Sequence, residues 1–368
     1  MKNTKFKIIL VIYMTLFSMI TISYAASAGA QHETVEIGAI LPLTGPGAVF
    51  AEYIKEGVDL AVEEINEKNK DKITILYEDS KNMPKEGISA YNKIVSSNNV
   101  SVTVVALSSV AKALSPLAEK NKSVQIYIAV AIPDVTDGKY TFRIYPEANG
   151  MAGIMSEYAA SKLMSKTAAV IYINDDFGRT SLESFKNNFE TRGGKVVFSE
   201  SYELLQKDFR NQIAKLKNVK PQPDIIYLSG YGPAYSIIIK QLKELEVKSQ
   251  LTADMTMGLP ITLKHVGEAA EGAFFVDGDM SDEFIVRFKG KYGKKPTSYA
   301  GYAYDIINIV NSIMEEKKSA KVHDISEGLI NIKNYNGAMG NISILPNGDA
   351  SLKFSVKKIE NGNPVNIN

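Results

Sequence analysis

The sequence predicts an α/β protein built as two doubly wound lobes. Strand-like apolar runs alternate with helical periodicity almost to the end, which means parallel strands joined by crossover helices. Roughly 340 residues follow an N-terminal export signal, more than one hydrophobic core usually serves. The alternation also stops and restarts after Tyr145, as if one wound sheet ended there and another began.

The export signal is read first. Lys2, Lys5 and Lys7 precede an apolar run from Ile8 to Ile20, and small residues follow at Ser23, Ala25, Ala26 and Ala28. That order is a secretory signal peptide over residues 1–28, with cleavage expected after Ala25 or Ala28. The run falls short of the ~20 residues a helix needs to cross a bilayer.

In the first series, Val35 to Leu41 reads as a buried strand. Ile54, Val58, Ala61, Val62 and Ile65 then recur at helical spacing, with Glu56, Glu63 and Glu64 on the wet side. Ile73 to Tyr77 is the next strand, followed by a helix through Ile88, Tyr91 and Val95. Strands at Val102 to Leu107 and Val124 to Val130 enclose a helix from Ser109 to Asn121.

The second series opens with a helix around Met151 to Leu163 and the strand Ala168 to Ile173. A helix at Phe177 to Thr191 leads to Val196 to Ser199, and Asp224 to Ser229 leads to a helix from Tyr231 to Leu245. The strand Phe274 to Val276 and helices Glu283 to Tyr292 and Tyr299 to Met314 follow. Asn341 to Leu345 and Leu352 to Ile359 flank Pro346-Asn347-Gly348-Asp349, which reads as a hairpin.

Composition excludes several functions. With no cysteine, the chain has no disulfide, no thiolate metal site and no cysteine for a lipid anchor. Loss of the signal removes three lysines and no acid, taking the formal charge from +1 to −2. Near-neutral charge without a basic run argues against nucleic acid. Histidine occurs only at His32, His265 and His323, and no H-E-x-x-H or G-x-S-x-G pattern appears, so no catalytic apparatus is visible. No cofactor or metal is expected.

Four strand-end segments could hold a ligand. The loop Leu43 to Phe50 lacks a dinucleotide fingerprint, because Phe50 stands where the third glycine belongs. It still follows a strand, where open α/β sheets bind ligands. Ser108-Ser109 sits at a helix start, where a hydroxyl either caps the first turn or joins free N–H groups in an anion site. Phe177 after Asn174-Asp175-Asp176, and Tyr231 after Ser229-Gly230, are aromatics at strand ends that either sandwich a ligand or belong to the core. Asp79 and Asp277 also lie near strand ends, where lone acids are commonly solvated.

The order of segments resembles a known family. Ile37-Gly38 through Thr44-Gly45-Pro46, Gly57 to Asn66, Tyr77-Glu78-Asp79-Ser80, Phe142-Arg143, Phe177-Gly178, Asp208-Phe209, Tyr227 to Tyr231 and Tyr304-Asp305 are similar to the branched-chain amino-acid binding proteins of ATP-driven import systems. The resemblance covers nearly all of the chain beyond the signal. It implies the type I periplasmic binding fold, with two lobes hinged by three crossings near Pro146 to Asn149, Val276 to Gly278 and Gly348 to Leu352. Lobe 1 would take residues 33–147 and 279–350, and lobe 2 residues 148–278 and 351–368.

The resemblance further implies a monomeric periplasmic receptor that closes on a small molecule and delivers it to an ABC transporter permease. It is not an enzyme. A sensory module of the same fold, working with a signalling partner, is the alternative.

Carried over residue by residue, the family's carboxylate-binding serine corresponds to Ser109, with Ser108 adjacent. Its backbone contacts correspond to Ala129 and Ala131, and its aromatic contacts to Phe177, Tyr231 and Tyr299, with Phe50 closing one side. Two positions depart from the pattern. Met255 stands where the family has the acid that receives the ligand ammonium, unless the register slips by one to Asp254, and Ala131 replaces the threonine beside it. The expected ligand therefore has an apolar or aromatic body, with or without a carboxylate, and lacks an α-amino group.

Overall fold

The computed structural model describes residues 34–45, 47–69, 72–96 and 100–367. Residues 1–28 and His32 lie outside the described residues. Among those described, no helix is long and apolar enough to cross a membrane.

The first sheet is all parallel, in the order β2-β1-β3-β4-β5, built from Thr34–Leu41 (β1), Lys72–Asp79 (β2), Val100–Ala106 (β3), Val124–Ile128 (β4) and Thr141–Arg143 (β5). Its crossover helices are Ala48–Lys68 (α1), Pro84–Val95 (α2) and Ser108–Asn121 (α3). The near-continuous burial of β3 and β4 is what a strand covered on both faces requires.

The second sheet has the order β15-β14-β10-β9-β8-β6-β7. Its parallel part is Thr167–Ile173 (β6), Lys195–Tyr202 (β7), Ile225–Ser229 (β8), Gln250–Ala253 (β9) and Phe274–Gly278 (β10). Phe354–Glu360 (β14) and Asn363–Asn366 (β15) add to it antiparallel. Ala148–Ser161 (α4), Asp176–Thr191 (α5), Arg210–Asn218 (α6), Pro233–Glu244 (α7) and Pro260–Val266 (α8) accompany this sheet.

Asp282–Tyr292 (α9), Ser298–Lys317 (α10) and Val322–Ile330 (α11) return the chain to the first half. There α10 lies along α1, and α11 meets β3 and β4. The α1–α10 crossing is close because Gly57 has no side chain: a Cβ there would stand 2.0 Å from the Ala300 carbonyl oxygen. The chain thus passes between the halves between Arg143 and Ala148, between Gly278 and Asp282, and between Ser351 and Phe354.

The expected hairpin needs correction. Gly340–Ile344 (β12) pairs with Tyr335–Gly337 (β11) and, after the turn, only with Ala350–Ser351 (β13). From Phe354 onward the chain leaves for β10 of the other sheet. The turn itself is closed by Leu345 N–H on Asp349 O at 2.8 Å and Gly348 N–H on Leu345 O at 2.9 Å.

Arg143 ties two of these passages together. Its fully buried guanidinium donates to Asp349 Oδ1 from Nε (2.9 Å) and Nη2 (2.6 Å), and to the Val130 and Ile132 carbonyls from Nη1. It also pairs with Glu147, and Thr136 Oγ1 donates to the same Asp349 oxygen. The residue that ends β5 is thereby fixed to the residue that precedes β13.

The candidate ligand site

In each sheet the strand order reverses beside the first strand of its series, β1 or β6, and open α/β sheets bind ligands outside the carboxyl ends at such a point. The carboxyl ends of the two sheets face one another, and a cavity of about 510 Å³ lies between them, counting the part open to solvent.

All ten residues named from the sequence line this one cavity: Phe50 beyond β1, Ser108 and Ser109 beyond β3, Ala129 and Ala131 beyond β4, Phe177 beyond β6, Tyr231 beyond β8, Asp254 and Met255 beyond β9, and Tyr299 at the start of α10. Leu107, Tyr145, Met151, Asp175, Asp176 and Thr256 join them and were not among the expected contact residues. Tyr145 had a legible signal, since it ends the first series; Thr256 had none, because β9 is too short to stand out.

Ser108 and Ser109 are not helix caps. The residue before α3 is Leu107, and no side chain caps the helix. Ser108 Oγ instead accepts from Ala131 N–H at 3.2 Å, tying the ends of β3 and β4, and Ser109 Oγ donates to Asn82 Oδ1 at 3.0 Å. Leu107 (φ 72°) and Ala129 (φ 54°) both hold positive φ, a strain that non-glycine residues tolerate mainly where the surroundings over-determine it, often at ligand sites.

The aromatic residues form a wall drawn from both halves. Phe50 meets Tyr231 edge-on at 5.6 Å and Tyr299 at 5.1 Å, and Tyr145 lies 5.6 Å from Tyr299. Phe177 stands 6.5 Å from Tyr231. Contacts bridge the mouth in this conformation: Asn82 Nδ2 donates to Tyr231 Oη at 3.3 Å, and Lys112 pairs with Asp176 at 3.2 Å.

Three carboxylates face the cavity, each with protein partners. Asp175 caps α5 by accepting Gly178 N–H at 2.9 Å and takes the Tyr231 hydroxyl at 2.6 Å; burial nonetheless raises it above the ordinary carboxylate range. Asp176 pairs with Lys112 and Arg179. Asp254 is fully buried and accepts from Gly230 N–H (2.8 Å), Thr256 N–H (2.9 Å) and Ser229 Oγ (3.1 Å). Gly230 is required there, since it holds φ 148° and a Cβ would meet Tyr202 Oη at 2.0 Å.

Desolvation outweighs those donors and pushes Asp254 up to about 6; away from the cavity it pushes buried Asp305, which accepts from Ala338 and Met339 N–H, to about 7. A carboxyl whose folded value exceeds its unfolded one, ~4, binds protons more readily when folded, so its contribution falls as pH rises from 4 to its folded value. Asp79, Asp137 and Asp224 are lowered by hydrogen bonds that outweigh desolvation and act oppositely, losing stability as pH falls below ~4. Tm is therefore expected to be highest near about pH 4 and to fall as pH rises to about 7.5, at roughly 2 °C per kcal/mol for a chain this long. A melting series across that range checks it, and Asp254→Asn should flatten the slope.

His265 and His323 are exposed on α8 and α11, and among the described residues no histidine lines the cavity. Asp79 and Asp277 are not simply solvated: Asp79 takes Thr44 Oγ1 at 2.5 Å, and Asp277 takes Ser298 Oγ at 2.5 Å.

Two wound α/β halves around a strand-end cavity walled by aromatics are the architecture of a solute-binding protein. The chain belongs to the periplasmic binding protein family, whose model matches residues 34–363. It has the type I fold, as the resemblance implied.

Among its relatives is Leu/Ile/Val-binding protein homolog 2 of Brucella abortus (strain 2308), 27% identical over 355 residues and covering 92% of this chain and 94% of the relative. The crystal structure of a leucine binding protein, LivK, from Thermotoga maritima superposes with TM-score 0.84 at 26% identity, covering 91% of this chain and 98% of that one. A solute binding protein of an ABC transporter from R. palustris, in complex with benzoate, superposes with TM-score 0.83 at 19% identity, covering 91% and 95%. These homologues are solute-binding proteins, and the chain is one too, not an enzyme.

Proposed function

We propose that this protein is the periplasmic receptor of an ABC import system, closing on a small organic acid with an apolar or aromatic body and handing it to a membrane permease. The halves that close are residues 33–147 with 279–350, and 148–278 with 351–368, acting as a monomer. A cavity whose lining comes from the strand ends of both sheets carries this reading, because a solute touching both halves favours their approach by differential contact.

The polar features of the lining support an acid. A ligand carboxylate meets the first N–H groups of α3, where the helix dipole favours negative charge, and takes the Ser109 hydroxyl once that proton turns from Asn82 Oδ1. Its apolar body meets Phe50, Phe177, Tyr231 and Tyr299. The benzoate complex of the R. palustris relative has the same chemistry of ligand.

A metabolite panel rich in aromatic and aliphatic acids, screened by thermal shift, tests the reading, since a ligand that binds only the folded state raises Tm. Ser109→Ala should then weaken carboxylates about tenfold, one charge-assisted hydrogen bond, while sparing the matching amides. Equal losses for acid and amide remove the anion role from Ser109.

A second reading, a standard α-amino acid, is favoured by one observation. Asp254 is a fully buried carboxylate on the cavity wall whose partners are two N–H groups and a hydroxyl. A ligand ammonium could add a fourth.

A further inference from the structure

The cleft between the halves continues beyond the cavity just described. A second cavity of about 1470 Å³, open to solvent, is lined from the first half by Tyr53 and the segment 294–299, and from the second half by the segment 258–263 and part of β14 and β15. Two residues line both cavities, Met255 and Tyr299, so together they form the partition between them. Met255 is held in place there, its thioether sulfur accepting the Tyr145 hydroxyl at 2.9 Å.

Beyond the partition the surface offers an apolar stretch long enough for a hydrocarbon tail, beside charged groups that include Asp277 and Lys357. Leu259, Pro260 and Leu263 present hydrocarbon from one side and Tyr53 from the other, with Lys294 and Lys295 at the rim. Methionine is unbranched and adaptable, so its side chain can swing without a change of backbone, whereas Tyr299 is fixed by ring contacts to Phe50 and Tyr145.

We propose that Met255 is the length-determining residue of the cleft: seated against Tyr145 it ends the first cavity, and displaced it admits the tail of a longer acid into the second. The proposal rests on the reading of the first cavity as an acid site. It assigns the protein to arylalkyl or alkyl carboxylates of graded length rather than to one compact acid.

The test is calorimetric titration of the mature protein with ω-phenylalkanoates from benzoate to phenylhexanoate. In the wild type, affinity should pass through an optimum at short length. Met255→Ala should move that optimum to longer members, each two added methylenes gaining about tenfold over the wild type. Leu263→Trp, added to Met255→Ala, should cancel the gain by projecting its ring across the apolar wall the tail would lie on, while leaving the short acids as Met255→Ala alone has them. Tyr145→Phe, which frees the thioether without opening a hole, should shift the optimum the same way if Met255→Ala fails to fold. An unchanged length profile in the folded variants, or a gain that survives Leu263→Trp, overturns the role of Met255 and leaves the first cavity's acid reading standing. If no member of the series binds any variant, that reading falls, and this proposal with it.

Discussion

Arg143→Met is expected to destabilise the folded protein by about 3–5 kcal/mol, because it strands a buried carboxylate. Asp349 takes two of its hydrogen bonds from Arg143, and the guanidinium also satisfies the carbonyls of Val130 and Ile132. Methionine keeps the length of the side chain and loses every donor. Thermal melting of the variant against the wild type measures the loss, and Arg143→Met with Asp349→Leu should recover much of it, since removing both partners leaves no unpaired charge. A single variant as stable as the wild type would mean that the pair contributes nothing to joining these two passages of the chain.

The second large effect concerns the ligand. A carboxylic acid with an apolar body should bind about a hundredfold or more tightly than the α-amino acid with the same body, if the ammonium finds no free carboxylate at the cavity wall. The three candidates are engaged: Asp175 with Tyr231 and Gly178, Asp176 with Lys112 and Arg179, and Asp254 with Gly230, Thr256 and Ser229. Calorimetry on ligand-stripped protein with leucine and with its deamino analogue decides the matter. Tight leucine binding that Asp254→Asn abolishes would assign the ammonium to Asp254 and reject the deamino preference.

Much of this was legible in the chain because parallel α/β sheets place their strand-end loops on one side. Once β1, β3, β4, β6 and β8 were read from apolar runs, the residues following each were candidates for a common cleft, and they do line a single cavity. What resisted reading was short or non-local. Gln250–Ala253 is only four residues long, so nothing marked it as a strand that delivers Asp254 and Thr256. Ala350–Ser351 and Phe354–Glu360 lie in one stretch of alternating apolar and polar residues whose two parts serve different sheets, a choice made by tertiary pairing and not by periodicity. Arg143 and Asp349 meet across 206 positions, and no local pattern announces such a partner.

The Lys112–Asp176 pair across the mouth carries a further consequence. Both side chains keep contact with water, the lysine 61% and the aspartate 31% exposed, and such pairs contribute at most about 1 kcal/mol, less as salt rises. A latch so feeble adds little to the contacts that Phe50 and Asn82 make with Tyr231 and Tyr145 makes with Met255. If the halves close on cargo as proposed, raising the salt concentration should therefore barely change how long they stay together.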